Sequence, residues 1–434
     1  MKAISRKITA FFLAVIAVFG ILSGCAPAVE DVPADPTETP ASAPTPAPTP
    51  EPTPEPTPVP RSALDYEARE LSGSMTVTIA GRDDARRLTD ANYNTKLLFS
   101  ETTEIVISAE EEISGLYMIW DKVPGLWSVR ADSFTVNGGE HGFLHEFVEL
   151  PEGAKSFTLH ISKGVTLCDI YAFTDGRLPE YVQLWTYPVE RADILLFPTH
   201  GDDELLFFGP ILPIYAGELG LSVQVVYLTH HWAEPYRPHE QLNGLWSVGV
   251  TAYPIFGVFK DRLVETLNQA LRKYNADSVI EFQVEMIRRF QPQVIVGHAE
   301  KGEYGHGMHI LNTRCLEQAV EYAADENYNG SSLKEYGVWD TPKLYLHLYQ
   351  ENNISLDYDQ PLEHFGGRTA FEMAKEGYGW HLSQHQWAFR VYPKGSSFDC
   401  SSFGLYRSTV GEDVEKNDLM ENLLPYSSQS PALE

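Results

Sequence analysis

Beyond residue 62 the apolar positions follow two rhythms. From 63 to 187 they come as short β-branched and aromatic runs, at 74–79, 104–108, 116–120, 133–136, 147–150, 156–161 and 167–173. Turn-forming groups such as Asn137-Gly138-Gly139, Pro151-Glu152-Gly153 and Asp175-Gly176 separate them. Such runs between Gly, Pro and Asn read as strands, and seven at this spacing predict an all-β sandwich. From 188 to 434 the rhythm lengthens. An apolar strand at 192–198 precedes a helical stretch at 204–217, a strand at 222–228 and a weaker helix at 240–248. A helix over 278–290 carries Val279, Phe282, Met286 and Phe290 on one side, and a strand at 293–296 follows. Strands alternating with helices predict an α/β fold, a mostly parallel sheet flanked by helices. Ligands of such open sheets bind beyond the carboxyl ends of the strands.

Residues 1–62 obey neither rhythm. Lys2, Arg6 and Lys7 precede an apolar stretch at 8–22 that ends in Leu22-Ser23-Gly24-Cys25. Basic, then apolar, then small is the order of a secretory signal, so 1–24 stands outside the fold. The last four residues resemble a bacterial lipobox. That resemblance implies that Cys25 is lipidated, tethering an extracytoplasmic chain to a bacterial membrane without spanning it. Residues 25–62 alternate Pro with Thr, Glu, Ala and Val. Proline fixes φ and removes a donor, so this stretch predicts an extended spacer, reaching on the order of 100 Å at about 3.1 Å per residue.

Charge narrows the choice of partners. With 32 basic against 60 acidic residues, a formal net charge of −28 argues against nucleic acid. No apolar run after the first thirty residues is long enough for a span. Four cysteines in 434 residues cannot build a disulfide scaffold. Of Cys168, Cys315 and Cys400 at most one pair could bridge, and spacing does not choose it.

Two segments carry chemistry, and both follow predicted strands. Thr199-His200-Gly201-Asp202-Asp203-Glu204 comes after the first strand of the α/β part. His298, then Gly302-Glu303-Tyr304-Gly305-His306-Gly307-Met308-His309, comes after 293–296. His306 and His309, three apart at a helix start, share one face. One Asp and up to three His could converge on a zinc ion, whose catalytic sites use three protein ligands and a water; a second carboxylate, Asp202, beside that water would be the general base. Neither segment suffices alone. With 14 histidines in the chain, a His-x-x-His pair arises by chance in about every second such sequence. An Asp-Asp-Glu run before a helix also serves as a cap and dipole complement. Their common place at strand ends, with glycines allowing close backbone approach, lifts the reading. His/Asp donors also accept iron or cobalt.

At these residues the chain resembles the PIG-L/LmbE family of zinc-dependent deacetylases, which remove acetyl groups from N-acetylglucosamine-type substrates. The family's Ala-His-Pro-Asp-Asp-Glu signature is matched by residues 199–204, and its Gly-Tyr-Gly-His-Pro-Asp-His type by 303–309. The resemblance implies a Rossmann-like LmbE fold, with His200, Asp203 and His309 as zinc ligands and Asp202 as the base. It implies that His306 stabilises the oxyanion or protonates the leaving amine. Arg237 with Glu240, and His381 in His381-Leu382-Ser383-Gln384, become candidates for touching the substrate or for supporting the site from behind, Tyr304 a candidate substrate contact, and an N-acetylated glycan the substrate. His231, after the second strand, is a candidate substrate contact, a further ligand or a structural residue. Thr199 and Gly201 replace the family's Ala and Pro, and Gly307-Met308 its Pro-Asp; no ligand is lost.

Residues 88–95, 113–120 and 167–174 are similar to discoidin-like, galactose-binding-like domains, in which Trp120, Trp127 and Trp185 would be sugar platforms or, as aromatics in a sandwich more often are, core residues. A surface glycan-binding lipoprotein with a vestigial hydrolase unit, or another metal-dependent hydrolase, are the alternative functions. The His-Glu-x-x-His and Gly-x-Ser-x-Gly motifs of zinc proteases and serine hydrolases do not occur.

Overall fold

The computed structural model describes residues 60–428. The signal at 1–24, Cys25 and nearly all of the spacer lie outside the described residues. The first strands are β1 (Thr76–Ile79), β2 (Leu97–Phe99), β3 (Thr103–Trp120), β4 (Trp127–Arg130), β5 (Thr135–Gly138), β6 (His145–Ile161) and β7 (Val165–Phe173). They form one antiparallel sheet in the order β2-β7-β3-β6-β4-β5, with β1 beside the first half of β3. This corrects the expected sandwich. Segments 104–108 and 116–120 are the two ends of β3, 18 residues long, and 147–150 and 156–161 those of β6, 17 residues long. The polar Ala109-Glu110-Glu111-Glu112 and Pro151-Glu152-Gly153, which resemble turns in sequence, meet at register shifts instead. Bulges let such residues ride through a strand while it bends and twists more strongly, so one sheet curls where two would have stacked. Trp120, Trp127 and Trp185 are all buried. Trp120 packs on Trp127 at 5.6 Å between ring centroids and Trp185 on Tyr253 at 5.5 Å, so none offers a face to a sugar.

The rest of the chain builds a layered α/β unit. It begins with β8 (Ile194–Leu196), α1 (Asp203–Leu206), β9 (Val223–Val225), β10 (Thr229–His230), α2 (Arg237–Ser247), β11 (Phe259–Lys260) and α3 (Leu267–Lys273). Next come α4 (Ala276–Phe290), β12 (Val294–Gly297), α5 (Gly307–Ala324), α6 (Gly330–Tyr336) and β13 (Lys343–His347). It closes with β14 (Asn353–Ser355), α7 (Ala370–Gly379) and β15 (Ser402–Ser408). The main sheet has the order β14-β15-β13-β12-β8-β9. β9, β8, β12 and β13 are parallel, whereas β15 and β14 are antiparallel to their neighbours. The expected parallel sheet is therefore a parallel four with an antiparallel edge. The helix expected over 204–217 is also broken: Pro210 cannot donate to a helical ladder, α1 stops at Leu206, and 212–218 forms a π-helical turn.

Alternation along the buried strands assigns the two faces. Leu195, Ile295, Leu344 and Leu346 join the apolar cluster of α4 and α5. Ile194, Leu196, Val294, Val296 and Tyr345 join that of α1, α2 and α7. This second cluster continues through Trp185 and Tyr253 into the core of the N-terminal sheet. A polar bridge reinforces the seam: Tyr117 Oη and His145 Nδ1 are 3.0 Å apart, and His145 Nε2 lies 2.8 Å from His239 Nδ1 on α2. Burial pushes His145 well below the usual histidine range and His239 down to about 4, so the pair is neutral and shares a proton as a hydrogen bond. Cys168, Cys315 and Cys400 are free and buried, and no helix among the described residues is long and apolar enough to cross a membrane.

Candidate metal centre

The two sequence motifs meet at the switch in strand order. The chain leaves β8 toward β9 on one side and later returns through β12 on the other, which opens a crevice between the carboxyl ends of β8 and β12. His200 and Asp203 lie on the turn from β8 into α1, and His309 is the third residue of α5. His200 Nδ1 is 3.2 Å from Asp203 Oδ2 and 3.2 Å from His309 Nε2, and His309 Nε2 is 3.3 Å from Asp203 Oδ2. Ligands near 2.0–2.1 Å from a tetrahedral zinc stand about 3.3 Å apart, so this triangle has the dimensions of three zinc donors. The Asp203 carboxylate draws positive charge to the triangle. Burial opposes charge on both rings, yet Asp261 and Asp203 raise the pKa of His200, and Asp203 that of His309. A bound cation would take the place of those protons.

Behind the triangle a carboxylate orients the ring nitrogens. Glu303 is wholly buried. Its Oε2 accepts from His309 Nδ1 at 2.7 Å and His298 Nδ1 at 2.8 Å, and its Oε1 from His347 Nδ1 at 2.6 Å and the Ala299 N–H at 3.1 Å. With its proton committed to Glu303, His309 presents the Nε2 lone pair to the centre, the carboxylate–histidine arrangement that fixes metal ligands. Burial alone would raise Glu303, but the three imidazoles hold it well below the ordinary carboxylate range. His298 also stands near Asp203, at 3.4 Å. Burial works against its charge, while Glu303 and Asp203 push its pKa up to about 9. The Thr199 N–H aimed at Nε2 at 3.0 Å nevertheless requires a lone pair there, and this fixed backbone donor decides for the neutral ring. His298 is thereby occupied, although it lies within ligand range of Asp203 and His309.

No family model matches the chain. It is 27% identical over 212 residues to a 1D-myo-inositol 2-acetamido-2-deoxy-alpha-D-glucopyranoside deacetylase of Catenulispora acidiphila, covering 42% of this chain and 64% of that protein. To proteins of the same name it is 37% identical over 178 residues in Saccharopolyspora erythraea (35% and 63% covered) and 36% over 181 residues in Geodermatophilus obscurus (35% and 60%). The chain thus spans a little under two thirds of the length of these relatives. Among solved structures, the N,N'-diacetylchitobiose deacetylase of Pyrococcus horikoshii is 16% identical, with a TM-score of 0.34 over 48% of this chain and 73% of that one. A likeness that slight carries no argument.

The other expected site residues divide into two groups. Tyr304 and His306 stand beside the donor triangle, and Asp202 is buried next to it in the chain. Burial pushes the Asp202 carboxyl up, against the pull of Arg237, whose Nη2 is 3.9 Å from Oδ1. His306 stands 4.9 Å from the His200 ring and 4.7 Å from that of His309. Burial, then those two rings, push it down to about 2, and its Nδ1 is buried without a hydrogen-bond partner. Tyr304 is 46% exposed and holds a left-handed φ of 45°, the kind of strain that collects at working sites. Arg237, His231 and His381 are buried around the turn that carries His200 and Asp203. Arg237 Nη2 donates to the Gly201 carbonyl at 3.2 Å, and the Gly201 N–H donates to His231 Nε2 at 3.2 Å, so between them they clamp the turn after β8. His381 Nε2 faces Glu204 Oε1 at 3.3 Å; burial drives His381 down to about 4 and Glu204 up to about 8, so both are neutral. Glu240 accepts from the Ser383 N–H at 2.7 Å and the Ser383 hydroxyl at 2.5 Å, which joins the two softer sequence features. Glu303, His347 and Asp261 were not singled out in the sequence, and of these only Glu303 lies inside a motif.

Each departure from the family signature has a neighbour that explains it. Thr199 Oγ1 accepts from Asn312 Nδ2 at 2.9 Å. A Cβ at Gly201 would collide with the Gln241 side chain, and proline there would lose the donor to His231. Met308 is a core residue, which leaves His306 without a carboxylate on the adjoining position. A Cβ at Gly307 would collide with the Thr266 backbone at the start of α3. Gly307→Ala is therefore expected to cost roughly 1–3 kcal/mol and to weaken zinc binding by moving His309; thermal unfolding with and without zinc checks both.

A cavity of about 1670 Å3 lies elsewhere, between the N-terminal sheet and the face of α2 and α7. It touches none of the metal-donor residues. Its polar lining includes three side-chain pairs, Gln183 with Asn243 at 2.7 Å, Arg177 with Glu67 at 3.2 Å, and Arg368 with Glu376. The donors, and not the size of a hollow, locate the chemistry.

Proposed function

We propose that the chain is a zinc-dependent deacetylase that hydrolyses the acetamide of an N-acetylglucosamine-type sugar. The triangle of His200, Asp203 and His309 at zinc spacing carries this reading, and the relatives named as deacetylases of such a sugar support it. The three residues would hold the ion. Zinc, when bound, supplies a Lewis acid and lowers the pKa of its water toward about 7. Asp202, next in the chain to a ligand, takes the proton as the water oxygen attacks the acetamide carbon. His306, neutral with a ring N–H, donates to the oxyanion, a contribution of roughly 3 kcal/mol. Proton delivery to the leaving amine falls to Asp202, which holds the proton taken from the water. The C–N bond then breaks, giving acetate and the free amine. Tyr304 at the mouth is a substrate contact.

Metal analysis with acetate release on N-acetylglucosamine, its oligomers and peptidoglycan fragments tests the reading. One zinc per chain and release of acetate from at least one of these is expected; stoichiometric zinc with no acetate from any of them overturns it. On residues 1–25 alone we further propose an extracytoplasmic chain held to the bilayer through Cys25, which Cys25→Ala would release into the soluble fraction.

A further inference from the structure

Asp261 lies on the side of His200 away from the donor triangle, on a segment with no motif. It follows β11, which pairs in parallel with β10, Thr229 against Phe259 and His230 against Lys260. That register brings Asp261 level with His231, and the Asp261 N–H donates to the His230 carbonyl at 3.3 Å. Asp261 Oδ1 is 3.6 Å from His200 Nε2, and Oδ2 is 3.6 Å from His231 Nδ1.

Both nitrogens carry protons for reasons set elsewhere. His200 turns Nδ1 to Asp203 and His309, so as a ligand its remaining proton is on Nε2. His231 Nε2 accepts the Gly201 N–H, so its proton is on Nδ1, which is buried and has no hydrogen-bond partner. A buried N–H left unmade costs about 1–3 kcal/mol. A span of 3.6 Å is too long for a hydrogen bond; a small turn of the partly exposed Asp261 side chain, or one bridging water, would close it.

We propose that Asp261 is a positioning residue that collects the two imidazole protons, holding His200 with its Nδ1 lone pair toward the metal and His231 with its Nε2 lone pair on the catalytic turn. Each histidine ligand then has its own carboxylate behind it, Glu303 for His309 and Asp261 for His200. The inference rests on the metal-centre reading above.

The test is zinc affinity of the full chain by competition with a chelating dye, read beside the unfolding temperature of the zinc-free chain. Asn offers one acceptor and turns an N–H donor toward the second ring. Asp261→Asn is expected to bind zinc 10- to 100-fold more weakly with only a small fall in the zinc-free unfolding temperature, from the unmet ring N–H, and Asp261→Glu to recover most of both losses. Affinity of Asp261→Asn within twofold of wild type overturns the inference alone, as does an equal loss in Asn and Glu variants, which marks simple loop packing. A wild-type chain that binds no zinc overturns the metal-centre reading and this inference together.

Discussion

Asp202→Asn lowers the turnover of acetate release by about 100- to 10,000-fold, the range for a positioned general base, and leaves bound zinc unchanged. The ligand beside it, Asp203, keeps its place in the triangle, so affinity should not follow activity down. The amide has nearly the same shape and no charge to bury, so the unfolding temperature holds or rises. The pH profile gives a second check. Burial raises the Asp202 pKa above the usual carboxylate value, and only the ionised form accepts a proton. Activity is therefore present above that raised pKa and lost as pH falls through it, placing the acid limb above the ordinary carboxylate range. A residual rate in Asp202→Asn that keeps the same acid limb would assign the base to another group.

Glu303→Ala has the larger effect on the protein itself. The variant leaves the N–H groups of His298, His309 and His347 without their buried acceptor. Each buried donor left unmade costs on the order of 1–3 kcal/mol, and loss of the carboxylate behind a metal ligand weakens binding 10- to 100-fold. Glu303→Gln should fall between, because one oxygen still accepts while the amide turns a donor toward a ring N–H. Denaturant unfolding of the zinc-free chain and chelator competition measure the two effects; a Glu303→Ala chain as stable as wild type would show that the network contributes little.

The residues nearest the proposed chemistry were readable because their information is local. His200, Asp202, Asp203, His306 and His309 sit in two short runs beside strand ends, and strand order alone brings those runs together. Glu303 was visible as a letter in a motif, but its role depends on His298, His309 and His347 at 5, 6 and 44 residues' separation, which no window joins. Asp261 reaches the site through a two-residue ladder too short to leave a pattern. Arg237, His231 and His381 are buried around the first motif, with contacts that no sequence window shows. In the N-terminal sheet the apolar runs were legible. Their continuity was not, because exposed glutamates and a Pro-Glu-Gly group look alike whether they end a strand or pass through a bulge.

The histidine pair across the seam has a practical consequence for dissecting the chain. His145 belongs to the curled sheet and His239 to α2; two residues before His239 on the same helix, Arg237 grips the Gly201 carbonyl. A fragment cut at residue 188 would strip one side of that helix, baring Tyr253 and the imidazole at 239 to solvent. The leading strands thus behave as a brace for the α/β half, and a truncated chain that kept full zinc affinity and the same unfolding temperature would show that the helix stands without it.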